Sequence, residues 1–110
     1  MKEIKAFVHR NRIADVVHAL RDAGYRNITV IDVKGTLRAL DAQEQDYSIE
    51  LAEPVITEVK LELVVDDDAV NAAVRLICDC GWTGQTESGW VYVSEVLIAL
   101  RINDSARNAR

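Results

Sequence analysis

Two apolar periodicities alternate along this chain, and their order constrains the fold more than any composition figure. Residues 3 to 9, E-I-K-A-F-V-H, place Ile4, Ala6 and Val8 on one side and Lys5 and Phe7 on the other, the alternation of a strand with one buried face. Ile13, Val16, Val17 and Leu20 then fall at the i, i+3, i+4, i+7 spacing of one helical face. Asn11 offers that helix an N-cap, and Gly24 supplies its C-terminal stop. I-T-V-I-D-V, Ile28 to Val33, reads as a second strand ended by Lys34-Gly35. Val59, Leu61, Leu63 and Val65 mark the core side of a third strand, with Lys60 and Glu62 on the other side. Asp66-Asp67-Asp68 places acids at the first turn of a second helix, where the macrodipole favours them. Its apolar stripe is Val70, Ala73, Val74 and Ile77, and Gly81 ends it. A fourth strand, V-Y-V-S-E-V, runs into V-L-I-A-L-R-I. Strand, helix, strand, strand, helix, strand is the split βαβ order of an α+β, ferredoxin-like βαββαβ fold with an antiparallel sheet.

Residues 36 to 54 break the pattern. They hold many acids, no sustained period and the only proline, Pro54, and so long a connection in a compact domain is uncommon unless it is functional or mobile. A short helix or hairpin arm is the other reading of this span. The tail N-D-S-A-R-N-A-R, residues 103 to 110, reads as disordered, which leaves one domain over residues 1 to 102.

With 110 residues, the chain can bury roughly 65% of its unfolded surface, enough for one core. Net charge is −5, with 13 Lys plus Arg scattered among 18 acids. A duplex-binding protein needs a basic face to release counterions, so nucleic acid is not an expected partner. The longest purely apolar run is Val96-Leu97-Ile98-Ala99-Leu100, far short of the about 20 residues of a membrane span. Charges interrupt the first twenty residues, so no signal peptide is expected. Cys78 and Cys80 are one residue apart in helical surroundings, a spacing that does not favour a mutual disulfide. The expectation is a reduced, cytoplasmic chain.

The stretch T-G-Q-T-E-S-G-W, Thr83 to Trp90, has the outline of a phosphate-cradling loop, with a glycine near each end and a threonine in front. Yet Glu87 sits in its middle, and Trp90 stands where a phosphate loop would want a lysine. Taken together, the motifs resemble those of the PII nitrogen-regulatory signalling proteins. I-T-V-I-D-V-K-G-T-L-R resembles that family's T-V-x-x-V-K-G-x-G-R-Q stretch, V-K-L-E-L-V-V-D-D-D its third strand and helix start, and T-G-Q-T-E-S-G-W-V-Y-V its nucleotide loop, usually T-G-x-x-G-D-G-K-I-F-V. The resemblance runs from Met1 to about Ile102, in order and with consistent spacing.

The resemblance implies a homotrimer that binds adenine nucleotide in clefts between subunits and touches a partner enzyme or transporter through a long flexible loop, here residues 36 to 54. Thr29, Gly35, Arg38, Glu62, Val64, Thr83, Gly84, Gly89 and Arg101 fall on positions resembling the family's nucleotide-contacting ones. The departures concern anion binding. Leu37 replaces a glycine, Ala39 the glutamine that helps bind magnesium and 2-oxoglutarate, and Glu58 a lysine that pairs with 2-oxoglutarate. Glu87, Ser88 and Trp90 replace the loop's glycine, aspartate and lysine, and Asn103 replaces a second arginine. A glutamate about 4 Å from a phosphate is repelled by about 1 kcal/mol in water and about 4 kcal/mol near a protein surface. The lost cations remove attraction of similar size. The expectation is weak ATP binding, a site better suited to ADP or AMP, and no use of magnesium with 2-oxoglutarate; a vestigial turn is the competing reading. A membrane transporter is one partner class the resemblance implies.

Leu51 stands where many relatives carry a modifiable tyrosine, so the usual uridylylation switch is not expected; Tyr47 and Ser48 lie nearby in the same span. A metal- or redox-responsive trimer, linked to heavy-metal efflux or inorganic-carbon transport and using Cys78, Cys80, His9 and His18, is the alternative class. Against it, Cys78 and Cys80 point about 200° apart on a helix, and both are expected to be buried, inert thiols. No nucleophile, base or paired-carboxylate spacing points to catalysis, so the chain reads as a non-enzyme. Trp82 and Trp90 flank the loop, either capping the core or a subunit contact, or stacking on a ligand ring.

Overall fold

The computed structural model describes residues 1–32, 58–85 and 88–103. The chain forms β1 (Lys2–His9), α1 (Ile13–Asp22), β2 (Thr29–Ile31), β3 (Glu58–Val65), a 3-10 turn (Asp67–Ala69), α2 (Val70–Gly81) and β4 (Gly89–Glu95). The four strands hydrogen-bond in the order β2-β3-β1-β4, and every neighbouring pair is antiparallel. This is the expected α+β, ferredoxin-like arrangement, with β1 and β3 central. Gly35, Leu37, Arg38, Ala39, Tyr47, Ser48, Leu51 and the whole of residues 36 to 54 lie outside the described residues, as do Glu87 and residues 104 to 110.

The period-two residues form the core as their spacing predicts. Ile4, Ala6 and Val8 from β1, and Leu61, Leu63 and Val65 from β3, share one buried cluster with Val16 and Leu20 of α1 and Ala73 and Ile77 of α2. Both helices therefore cover the same sheet face. Ile4, Leu20 and Leu61 are fully buried, each contributing about 1.5–3 kcal/mol relative to exposure.

Gly24 ends α1 as expected, and the geometry shows why. At φ +96° it lets the Tyr25 N–H reach the Leu20 carbonyl at 3.0 Å while its own N–H reaches Arg21 at 3.0 Å, the paired closure of a glycine-capped helix. The Tyr25 hydroxyl then donates to the Ala69 carbonyl at 3.0 Å, tying the end of α1 to the turn before α2.

Local details depart from the sequence expectations in several places. Asn11 does not cap α1: the first helical bond runs from the Val16 N–H to the Arg12 carbonyl at 3.1 Å, so Arg12 holds the N-cap position, without a side-chain bond, while the Asn11 N–H donates to Nδ1 of His9 at 3.1 Å. The three aspartates do not open α2; Asp67 and Asp68 belong to the 3-10 turn, and the helix starts at Val70. β2 spans Thr29–Ile31 rather than reaching Asp32, whose carboxylate takes a two-point ion pair from Arg10 at 2.5 and 2.8 Å.

The largest departure is at β4. It begins two residues before Val91 and stops at Glu95, so the apolar run Val96 to Leu100 is not strand. The ladder accounts for it. Glu95 is paired with Lys2, and the Val96 N–H reaches the Met1 carbonyl at 3.1 Å, where the described partners of this edge end. Leu97 and Ile98 are consequently 89% and 73% exposed.

Candidate functional site

The turn between α2 and β4 is held together by its own hydroxyls. The Thr83 N–H donates to Ser88 Oγ at 3.1 Å, the two hydroxyls share a hydrogen bond of 2.9 Å, and Ser88 Oγ donates to the Gln85 carbonyl at 3.1 Å. A phosphate-binding loop leaves its main-chain N–H groups pointing at the ligand. Here the Thr83 N–H is already satisfied, and the Gln85 N–H points at the Thr83 hydroxyl, 3.4 Å away. Ser88, which stands where the resembling loop has aspartate, is the residue that closes the turn. From the sequence Ser88 reads only as a lost charge; its spacing of five from Thr83, compatible with a closed turn, is the signal of its role.

Gly89 begins β4 under a strict steric limit. Its φ is +129°, and a Cβ built there would lie 2.0 Å from the Phe7 carbonyl oxygen. The close approach lets β4 pair with β1 immediately after the turn, Gly89 against Val8.

Phe7, Trp90 and Tyr92 then form an aromatic row on the sheet face opposite the helices. Tyr92 meets Phe7 edge-on at 6.1 Å and stacks on Trp90 at 6.2 Å with 19° between ring planes. The row follows from register, since Trp90 pairs with Phe7 and Tyr92 with Lys5. Trp82 and Trp90 are 64% and 68% exposed, so neither caps the core.

The same open face carries a charge ladder. Lys5 lies 3.9 Å from both Glu3 and Glu62, and Lys60 lies 3.3 Å from Glu62. Glu62 is thus engaged by two lysines, each pair contributing about 0–1 kcal/mol at the surface. Thr29 is the β2 partner of Glu62, and Val64 stands two residues on, 43% exposed.

The residues expected to contact a nucleotide fall into separate groups in one chain. Thr29, Glu62 and Val64 stand on the β2-β3 side; Thr83, Gly84 and Gly89 stand at the β4 edge. Thr29 and Gly89 are on strands three spacings apart, about 14 Å. Arg101 follows β4 and is exposed, as is Asn103. Gly35 and Arg38 are not among the described residues, and Glu58 opens β3 opposite His9.

The cysteine expectation is half corrected. Cys80 packs against the core, but Cys78 is exposed, because two helical residues two apart cannot both face the sheet. Among the described residues no group of three His, Cys, Asp or Glu is placed to hold a metal, and no described helix is long and apolar enough to cross a membrane.

Among the described residues, resolved electrostatic shifts fall on exposed pairs. A hydrogen bond from the N-terminal amine, 2.5 Å from Asp67 Oδ1, holds that carboxyl below its usual range. Hydrogen bonding to Glu95 raises Lys2, and hydrogen bonding to Asp32 raises Arg10. None of these groups is among the residues expected to contact a nucleotide.

A family model described as Nitrogen regulatory protein P-II matches residues 1–105. Proteins of that name from Mesorhizobium japonicum and Porphyra purpurea are 33% and 31% identical, covering 93% and 94% of this chain and 91% and 95% of their own lengths. The relative of the same name from Haemophilus influenzae is 31% identical over 98% of this chain and 96% of its own. Matched by that model over residues 1–105 and by relatives along nearly their whole length, the chain belongs to the nitrogen regulatory protein P-II family.

Proposed function

We propose that the chain works as a homotrimeric regulator rather than a catalyst: it senses a small effector of low charge and acts on a partner enzyme or transporter through residues 36 to 54. The observation that carries the effector reading is the closed turn. With the Thr83 N–H taken by Ser88 and an indole at Trp90 in place of a cation, the loop offers a phosphate little. Ligand charge then counts against binding, so ADP or AMP binds at least as well as ATP, and magnesium with 2-oxoglutarate adds nothing. The trimer reading is supported by the separation of Thr29, Glu62 and Val64 from Gly89, which a neighbouring subunit can close into one cleft. The exposed run through Leu97, Ile98 and Leu100 supplies apolar surface for that contact.

Calorimetry with AMP, ADP and ATP at one salt concentration tests the effector reading, on the native protein and on the double variant Glu87→Gly with Trp90→Lys. The native order should be ADP or AMP at or above ATP, and the double variant should reverse it. Tightest native binding by ATP overturns the charge argument, and a monomer in light scattering overturns the shared cleft.

A further inference from the structure

A groove of about 550 Å³ runs between the end of α1 and the outer face of α2, lined in part by Ala23, Tyr25, Ala72, Arg75, Leu76 and Asp79. We infer that this groove binds a free α-amino acid with an apolar side chain, its carboxylate on Arg75 and its ammonium on Asp79. The groove shares no residue with those expected to contact a nucleotide, with the Thr83 to Trp90 turn or with residues 36 to 54. It therefore goes beyond the function proposed above.

Three observations carry this assignment. Arg75 and Asp79 stand one turn apart on α2, where Cβ atoms are about 5–6 Å from each other. Yet no ion pair joins them, and neither has an ion-pair or hydrogen-bond partner among the described residues. Their order is the weaker one for mutual pairing, since the acid favours the N-terminal place of such a pair and here the base comes first. Two opposite, unengaged charges at that spacing match a zwitterion, whose carboxylate and ammonium are carried by one carbon. The guanidinium can meet the carboxylate with two parallel N–H donors.

The second observation is that Asp79 runs against its local electrostatics. It lies in the last turn of α2, which holds no basic residue, so its carboxylate faces the negative end of the helix macrodipole. Breaches of a local rule concentrate at functional positions. A ligand ammonium beside Asp79 meets both that carboxylate and the negative helix end, and the ligand carboxylate is directed back one turn to Arg75. Third, the groove wall is apolar and held in place. Leu76 packs against the core, Ala23 and Ala72 are small enough to leave the depression open, and the Tyr25 ring is fixed by its hydroxyl bond to the Ala69 carbonyl at 3.0 Å. An apolar side chain laid on that wall leaves water, and the volume lies within the about 300–1,000 Å³ of small-ligand sites.

Leucine, N-acetylleucine, leucinamide and glycine are titrated separately into nitrogen-labelled full-length protein without nucleotide, and the backbone amide signals of residues 71 to 79 are followed. Leucine should shift the signals of Ala72, Arg75 and Asp79 saturably in the millimolar range or below. N-acetylleucine lacks the ammonium and leucinamide the carboxylate; each should bind about tenfold more weakly, the scale of one charge-assisted hydrogen bond. Glycine, without a side chain for the apolar wall, should also bind more weakly than leucine. Arg75→Gln should remove the preference for leucine over leucinamide, and Asp79→Asn the preference over N-acetylleucine, each leaving the other preference in place. Both side chains are exposed, so neither change threatens the core. Absence of saturation with leucine overturns the inference, as does equal affinity for either blocked compound or for glycine, or an unchanged preference in either variant. None of these readings depends on nucleotide binding or on assembly, so this inference and the function proposed above can fail separately.

Discussion

Gly89→Ala tests the steric account of the β4 start. The glycine sits at φ +129°, and the added methyl carbon would lie 2.0 Å from the Phe7 carbonyl oxygen. A non-glycine residue held at such a backbone angle costs about 1–3 kcal/mol. Relieving the clash moves β4 away from β1 and weakens one or two neighbouring ladder bonds, at about 0.5–1.5 kcal/mol each. The expected loss is about 1.5–6 kcal/mol, a large share of the about 5–15 kcal/mol that holds a domain folded. Gly84→Ala is the matched control: its φ is +85°, but nothing lies within 4 Å of the added carbon, so only about 1–2 kcal/mol of backbone strain applies. Urea denaturation of the three proteins at one fixed concentration, followed by circular dichroism, gives both differences. If Gly89→Ala is no more destabilised than Gly84→Ala, the close approach to Phe7 is not what requires glycine.

Ser88→Ala should leave the Thr83 N–H without its acceptor and loosen the turn while the strands persist, at a cost of about 1–2 kcal/mol; hydrogen exchange should accelerate at the Thr83 amide, and unchanged protection there refutes the hydroxyl closure. Asp67→Asn tests the pairing with the N-terminal amine. Because that hydrogen bond lowers the folded-state pKa of Asp67, its small stabilisation is present above about pH 4 and is lost as pH falls below that. Urea midpoints of the two proteins should therefore differ at pH 6 and converge toward pH 3, and a gap that persists at low pH contradicts the assignment.

The core and the strand order were legible because each rests on a short period. Ile4, Ala6, Val8, Val59, Leu61, Leu63 and Val65 alternate strictly, and a sheet covered on one face buries the residues that share a side. The two helix stripes obey the same logic at a period of 3.6. Gly24 was legible because a helix end needs a residue free to adopt a positive φ.

What only the tertiary structure decided depends on partners far along the chain. The sequence marks Val96 to Leu100 as strand-like, but a strand persists only where a neighbour supplies hydrogen bonds, and among the described residues the last such bond on this edge is from the Val96 N–H to the Met1 carbonyl. Helix spacing sets Cys78 and Cys80 on opposite sides, but only the seating of α2 on the sheet decided that Cys80 packs against the core and Cys78 is exposed. The aromatic row follows from the pairing of Trp90 with Phe7, residues whose contact depends on register between strands at opposite ends of the chain. The Thr83 to Trp90 stretch shows the same division most clearly. Its residue types resemble a phosphate cradle, but whether an N–H group faces a ligand or a nearby hydroxyl is a matter of geometry, and here Ser88 takes the donor of Thr83.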